Sequence, residues 1–449
     1  MAYTEKEKLK KVLSFWDVFF IAAGQIIGAG VIALTGIAIG MTGPSVILAY
    51  LGAAVLILVA SLLFMMGGAA IPATGAFYVW PSRMVNGWLA SFVLWLVLLN
   101  SVTMSLYGGA FGLYINPLFP QLSANNWGVI IVTLFFAVNY FGVKIGAGLQ
   151  MVLVVILFTA LAVYAGFAIP EIRVENMTPM FPKGAIGFFT AMALLIFATG
   201  GAYLIVALGG EMKNPQKDIP RIVVFSTLGI AVLYCFVALA AVGVVPWQTM
   251  VNQPLTVAGK AFLPGWAMIY FLICGAGLAI CTTLNAQYLQ LPRNFLPACW
   301  DNVLPARFGK INKYGTPQYI LFALYAIGVI PLLFDLKIDV IAKAATISAI
   351  LPVMFVFWSL TKLPEKFPVE YQNSSFKLGK KWIWIAFVIS ELCMSIGIVF
   401  LAHDLSVGVL AVLAVWIVIA ISYYPIRKRY LIGKGIDLDQ TTRDTTIFQ

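Results

Sequence analysis

The sequence predicts an all-α integral membrane protein with twelve transmembrane helices, on three observations. Of 449 residues, 62% are hydrophobic and 10% charged, against about 45–50% apolar and about 25% charged in soluble domains. Apolar segments recur at the length of roughly 20 residues that crosses about 30 Å of hydrocarbon. Lysine and arginine crowd into alternate inter-span loops. Barrel strands would alternate apolar and polar residues. Runs such as Ala53–Met66 do not, and a helix satisfies its backbone N–H and C=O groups within its own segment.

The expected spans are 15–39, 44–66, 88–115, 126–143, 148–169, 185–210, 221–245, 262–290, 317–334, 339–361, 382–402 and 405–425. The chain then divides into an N-terminal segment 1–14, a ten-helix core 15–361, a helix pair 382–425 and a tail 426–449. The tail reads as polar and flexible from Gly435 onward. No small-residue cleavage site follows a short apolar region, so the first span is expected to be retained. With twelve spans both termini share a side. That side collects 23 of the 28 lysines and arginines, and the other keeps Arg173, Lys183, Lys260, Lys337 and Lys343. The positive-inside rule places both termini in the cytoplasm. The same bias accounts for the net charge of +11 without nucleic acid.

The five cysteines, Cys235, Cys274, Cys281, Cys299 and Cys393, form no CxxC pair, and four sit in apolar runs. They read as small buried hydrophobes, not as a disulfide framework or zinc site. His403 is the only histidine, so Ser-His or Cys-His catalysis and histidine metal sites lack material.

Two spans carry glycines near mid-depth. Span 1 holds Gly24-Gln25-Ile26-Ile27-Gly28-Ala29-Gly30, and span 6 holds Phe197-Ala198-Thr199-Gly200-Gly201-Ala202-Tyr203. They occupy corresponding places in two sets of five helices, about 15–170 and 185–361. Glycine costs roughly 1 kcal/mol against alanine inside a helix. It also permits unwinding and close approach to a ligand. Unwound backbone at that depth needs partners, which a bound zwitterion or ion supplies. The N-terminus of the following half-helix suits a carboxylate. Paired glycine-interrupted segments in two halves point to a midplane binding site. Small residues spaced as Gly24 and Gly28 also make tight helix-packing faces.

Gly24-Gln-Ile-Ile-Gly28-Ala-Gly30 resembles the first-helix signature of the amino acid–polyamine–organocation (APC) family. Phe197-Ala-Thr-Gly-Gly201, followed by Gly210-Glu211-Met212-Lys213-Asn214-Pro215 and on to Pro220-Arg221, resembles its sixth-helix core and the loop after it. The resemblance covers spans 1–10 in order and length. It implies a LeuT-type fold: a 5+5 inverted repeat with discontinuous helices 1 and 6, plus two C-terminal helices. It further implies a transporter of an amino acid or related amine, working by alternating access; the short loops and lack of targeting signals are read as a bacterial inner-membrane protein. Glu211 then closes the inner half of helix 6, Asn214-Pro215 stops it, and Pro220 marks the start of helix 7.

By the same resemblance, N–H groups of Gly28, Ala29 and Gly30 hold a substrate carboxylate. Carbonyls of Ile26, Phe197 and Gly200 hold its amino group, and the Phe197 ring closes over it. Ala198, Thr199, Gly201 and Tyr203 complete the pocket. The family often has an aromatic at the position of Thr199 and an acid at that of Tyr203. Their absence here disfavours dibasic substrates and polyamines and favours a neutral amino acid or small amine. Many sodium-independent relatives carry a lysine midway along helix 5; Ala147–Gly166 has none. In sodium-coupled relatives two adjacent hydroxyls of helix 8, here Thr282 and Thr283, join carbonyls equivalent to Gly24, Ile27 and Ala279. Threonine pairs in membrane helices also bond back to a carbonyl one turn earlier, so uniport, exchange, proton symport and sodium symport all stay open. No other cofactor is expected, and a homodimer is left open.

Other polar residues in the spans are Asp17, placed to suit a helix N-terminus, and Glu391, a proton-relay, structural or subunit-interface group. Asp339 and Lys343 read as paired or snorkelling at the outer end of span 10. Asn100 and Tyr107 are minor pocket candidates. A membrane-embedded enzyme would need clustered His, Asp, Glu or Cys, and a channel would need a filter motif; neither is present. A polyamine or organic-cation exchanger and a non-transporting nutrient receptor of the same fold remain as alternatives.

Overall fold

A computed structural model describes residues 9–28, 30–116, 119–334, 338–402 and 407–445. All regular structure among them is helical, apart from three isolated bridges. The first half comprises α1 (Phe15–Ile26), α2 (Gly30–Thr42), α3 (Val46–Ala70), α4 (Ala76–Met84), α5 (Gly87–Asn100), α6 (Thr103–Ile115), α7 (Ala124–Tyr140) and α8 (Val143–Ala168). The second comprises α9 (Gly184–Thr199), α10 (Pro215–Val244), α11 (Leu255–Phe262), α12 (Gly265–Tyr270), α13 (Leu278–Trp300), α14 (Gln318–Leu333) and α15 (Ile338–Leu360). Then follow α16 (Leu363–Lys366), α17 (Pro368–Asn373), α18 (Lys380–Ala402), α19 (Val407–Ile432) and α20 (Leu438–Thr441).

Among the described residues, eight helical runs are long and apolar enough to cross a membrane: 15–32, 34–70, 87–115, 143–171, 184–207, 215–244, 265–300 and 408–432. Shorter apolar helices lie at 124–140, 318–333 and 348–360. One large core joins α1, α3, α8, α10 and α13.

Several elements extend past their expected limits, for identifiable reasons. α10 starts at Pro215, not near Arg221. Proline at the first helical position loses no bond there. Pro220 therefore lies inside the helix. Its missing N–H frees the Gln216 carbonyl one turn back, and Ser375 Oγ donates to it at 2.6 Å. α13 runs ten residues past the expected end of span 8, to Trp300. A π-helical stretch, Phe271–Gly277, precedes it. Span 3 is divided by a two-residue turn, Ser101–Val102, into α5 and α6, and α4 stands where only a loop was expected.

α1 opens on a reciprocal cap. Ser14 N–H and Oγ both donate to Asp17 Oδ2 (2.8 and 2.7 Å), and the Asp17 N–H returns to Ser14 Oγ at 3.4 Å. The Lys144 ammonium reaches the same carboxylate at 2.6 Å and ties α1 to the start of α8. Leu13 pairs with the chain after the sixth span through Leu13 N–Glu211 O and Lys213 N–Leu13 O, both 2.9 Å. Gly75 N donates to Ala207 O at 2.9 Å. One end of the bundle therefore gathers the N-terminus, α4 and the end of the sixth span.

The tail joins that end too, which corrects the expectation of a flexible tail from Gly435. α19 continues to Ile432, and α20 buries Leu438 completely. Arg83, expected in a solvated loop, is buried in an ion pair with Asp301 and donates from Nε to Asp444 O at 3.0 Å. Tyr78 adds a 2.8 Å bond to Asp301, and Thr441 Oγ1 reaches the Asp301 carbonyl at 2.8 Å. Asp439 takes Tyr424 and Lys428. Lys428 holds the Asp439 carboxyl below its usual range. That tie is present above about pH 4 and is lost as pH falls through the lowered value.

Removing one partner of a buried pair costs about 3–5 kcal/mol, because the other charge is stranded. Asp301→Ala should lower the thermal unfolding midpoint of the purified protein accordingly and expose Arg443 to trypsin. Lys428→Gln, which breaks only a half-exposed tie, should do neither.

Candidate functional site

α1 ends at Ile26, where Ile27 turns to φ −80°, ψ 77°, and α2 resumes at Gly30. Ala29, an expected carboxylate donor, lies outside the described residues. A helix end leaves up to four carbonyls without helical partners, and here other helices supply donors. Thr283 Oγ1 donates to Gly24 O at 3.1 Å, Thr282 Oγ1 to Ile27 O at 3.4 Å and Tyr234 OH to Ile26 O at 3.3 Å. Gly28 N also turns back to Ile26 O at 2.9 Å. The start of α2 leaves its first-turn N–H groups free of helical partners and carries partial positive charge.

The second break follows α9. Gly200 leaves the helix at φ −83°, ψ 169°, and Gly201 takes φ +116°, a left-handed conformation that favours glycine. A tight 3₁₀ turn, Ala202–Ala207, continues the chain. Gly200 N still closes on Ile196 O at 3.0 Å. Among the described residues no donor follows in helical register for the carbonyls of Phe197, Ala198 and Thr199.

The two breaks touch. A Cβ on Gly201 would lie 3.0 Å from Gln25 Cγ and 3.3 Å from Gln25 O, and one on Gly30 would lie 3.3 Å from Ala198 Cα. Only residues without side-chain bulk allow this approach. Of the expected residues, Gly30 meets Ala198 and Gly201 meets the neighbour of Ile26, Gln25, while Gly28 lies against Thr283 and Gly200 against Ile57.

Others have different occupations. Thr199 is buried and its hydroxyl bonds back to Leu195 O at 3.0 Å. The Tyr203 ring stacks on Phe64 of α3, with centroids 4.9 Å apart. Phe197 stays 46% exposed. Tyr107 meets the Gln287 side chain. Among the described residues, Asn100 Oδ1 is buried without a partner, as is Glu391 Oε1 on α18. His403 and Lys337 lie outside the described residues, as do the side chains of Asp339 and Lys343.

Five oxygens from α1 and α13 converge: Gly24 O, Ile27 O, Ala279 O and both threonine hydroxyls. Thr282 and Thr283 Oγ1 also lie within reach of Ala279 O, at 3.0 and 3.1 Å, so the single proton of each hydroxyl is shared between that carbonyl and the one at the break. All five are neutral, hard oxygen atoms, the donor type that a hard cation takes, and in this structure they are joined by hydrogen bonds. Among the described residues no group of three His, Cys, Asp or Glu side chains comes together, and all five cysteines are free.

Sequence reasoning missed Gln25, whose Oε1 is buried beside the second break without a partner, and Tyr234. It also missed the partner of Glu211. Arg293 of α13 donates from Nε to Glu211 Oε2 at 3.1 Å and from Nη2 to Oε1 at 3.4 Å, with both residues buried. Arg293 was expected in a loop. A lone arginine one turn beyond Gln290, on a helix that continues, was the available signal. Asn214 precedes Pro215 at the start of α10 without a side-chain cap.

A helical, multi-pass membrane protein with two helix interruptions in contact has the architecture in which transporters of small molecules build their binding sites. The chain belongs to the amino acid permease family, whose model matches residues 13–428, and so to the APC superfamily; these are permeases, not enzymes. It is 24% identical to a branched-chain amino acid permease of Bacillus subtilis over 395 residues, 82% of this chain and 84% of the relative. It is 27% identical to a putative histidine permease of the same organism, over 73% of each. It is 25% identical to a methylthioribose transporter, over 70% of this chain and 73% of the relative.

Two outcomes are expected. Gly201→Ala must hold a side chain in the left-handed region, at about 1–2 kcal/mol, and pushes on Gln25; its unfolding midpoint should fall while circular dichroism stays helical. Arg293→Ala strands Glu211 and should cost about 3–5 kcal/mol. Arg293→Lys should recover only part of it, since an ammonium lacks the planar fork.

Proposed function

We propose that this protein is a secondary active transporter for a neutral amino acid or small amine, working by alternating access. It would do so in a bacterial cytoplasmic membrane, with both termini in the cytoplasm. The reading takes twelve spans arranged as a 5+5 inverted repeat, with α1/α2 and α9 onward as its discontinuous members and α18 and α19 added. The observation that carries it is the contact between the two breaks, Gly201 on Gln25 and Gly30 on Ala198. That contact sets first-turn N–H groups of α2 beside the unpaired carbonyls at the end of α9. An amino acid needs these two opposite partners: donors for its carboxylate and acceptors for its ammonium.

Size and charge support a neutral substrate. Residues 198–202 are small, and no carboxylate lies between Phe197 and Gly210. The branched-chain permease of Bacillus subtilis is a relative whose named substrates fit such a pocket. Gln25 Oε1, buried and unpaired, adds an acceptor for an ammonium group.

The oxygens of Gly24, Ile27, Ala279, Thr282 and Thr283 are the candidate coupling-ion site. Sodium there would supply positive charge next to the first break. The chain's own part is to bring three carbonyls and two hydroxyls from α1 and α13 to one point. Glu211 with Arg293 fixes the inner end of the sixth span.

The test is uptake by proteoliposomes of radiolabelled amino acids and amines, with and without an inward sodium gradient. Sodium-stimulated uptake of a neutral amino acid is expected. It should fall by about tenfold or more in Thr283→Ala, the loss of one buried polar contact, and survive in Thr283→Ser. Uptake indifferent to sodium would overturn the ion site. Binding without flux would overturn the transport reading in favour of a receptor.

A further inference from the structure

A chain of buried amides runs behind the first break. Gln150, on α8, is fully buried. Its Nε2 donates to Thr282 O at 3.0 Å, and its Oε1 accepts from Asn285 Nδ2 at 2.8 Å. Asn285 also donates to Gly146 O at 3.0 Å, and its Oδ1 accepts from Asn139 Nδ2 at 2.7 Å. Asn139 donates in addition to Phe135 O at 2.9 Å. The amides therefore run in one direction, Asn139 to Asn285 to Gln150 to the Thr282 carbonyl, across α7, α13 and α8. Turning any one of them would set N–H against N–H or oxygen against oxygen.

The far end of this chain meets the first break. A Cβ on Gly24 would lie 1.9 Å from Gln150 Nε2 and 3.0 Å from Thr282 Cβ. The amide fills the space that the glycine leaves. Thr282, whose carbonyl Gln150 holds, gives its own hydroxyl to Ile27 O, and its neighbour Thr283 gives its hydroxyl to Gly24 O.

We propose that Gln150 is a positioning residue for transport: the terminal donor of a directed amide chain, it seats the broken helix α1 against α8 and α13. It touches no expected substrate atom. It sets the distance between α1 and the pair of threonines through one contact made by shape and two neutral hydrogen bonds. Such a seat can release and re-form without moving a charge. The seating stands on geometry alone; its part in transport rests on the reading given above.

Glutamic acid at position 150 separates this role from plain packing. Protonated, it keeps both ends, an O–H for Thr282 O and a C=O for Asn285; ionised, it is an acceptor only. Leucine keeps the bulk and loses both ends. The experiment is hydrogen–deuterium exchange, corrected for intrinsic rates, on full-length wild type, Gln150→Glu and Gln150→Leu in lipid nanodiscs, from about pH 5 to about pH 8.5, the range into which burial raises a carboxyl from its ordinary value of about 4.3. In Gln150→Leu the peptide covering 19–32 should exchange about tenfold faster or more at every pH, the size of one lost buried hydrogen bond, with α19 unchanged. Gln150→Glu should match wild type at the acid end and Gln150→Leu at the alkaline end. Gly24→Ala, whose methyl displaces the amide, should reproduce Gln150→Leu, and the double variant should be no worse than either single one. Wild-type exchange of this peptide in Gln150→Leu, or in Gly24→Ala, would overturn the seat.

The same proteins in liposomes are given a radiolabelled mixture of the twenty protein amino acids. Uptake by Gln150→Glu should fall as pH rises, relative to wild type. Equal uptake by Gln150→Leu and wild type would overturn the role in transport. No uptake by wild type of these or of the amines tested above would defeat the transport reading, while the exchange result still decides the seat.

Discussion

The constraint on which the rest depends is the demand of an interrupted backbone for hydrogen-bond partners where bulk water is absent. Breaking two helices inside an apolar bundle frees carbonyls and N–H groups that cannot be left bare without cost. The placement of several buried polar side chains follows from that demand. Thr282 and Thr283 of α13 and Tyr234 of α10 each cap a carbonyl of the first break. The second break is served less fully, and the unpaired Gln25 oxygen lies beside it. The asymmetry matters. A site already saturated by the protein has nothing to offer a ligand, and the under-served side is where a ligand gains most.

The polar groups outside the breaks sort by charge. Charged pairs, Glu211 with Arg293 and Arg83 with Asp301, sit at the end of the bundle that gathers the termini. Neutral amides, Gln150, Asn285 and Asn139, occupy the interior behind α1. Burying an ion pair costs desolvation that only good geometry repays, while an amide chain fixes direction at lower electrostatic cost. Firm joints are therefore ionic and lie at one end, and the joint next to the candidate site is neutral.

The sequence made the helical class, the approximate positions of the apolar segments and the two breaks legible, because each depends on local composition: apolar length, glycine and proline. The oxygens of Gly24, Ile27, Ala279, Thr282 and Thr283 were legible only through a family resemblance, and the geometry brings them together. What stayed hidden depends on contacts distant in sequence. Gln150 and Gly24 are 126 positions apart, and nothing near either one announces the other. Arg293 looked like a loop residue because its helix was expected to end at Gln290. The two prolines that follow Gln290, Pro292 and Pro297, lie inside α13 without ending it. The tail looked flexible because composition says nothing of Leu438 finding a buried place.

The bond from Arg83 to Asp444 spans 361 positions. At about 5–20 residues per second of synthesis, the interval between the two is on the order of half a minute. During it the first half of the bundle already exists, and the arginine waits first for its carboxylate and then for its last acceptor. A chain released before Asp444 carries a recognisable defect at the surface where its termini meet: a guanidinium one bond short.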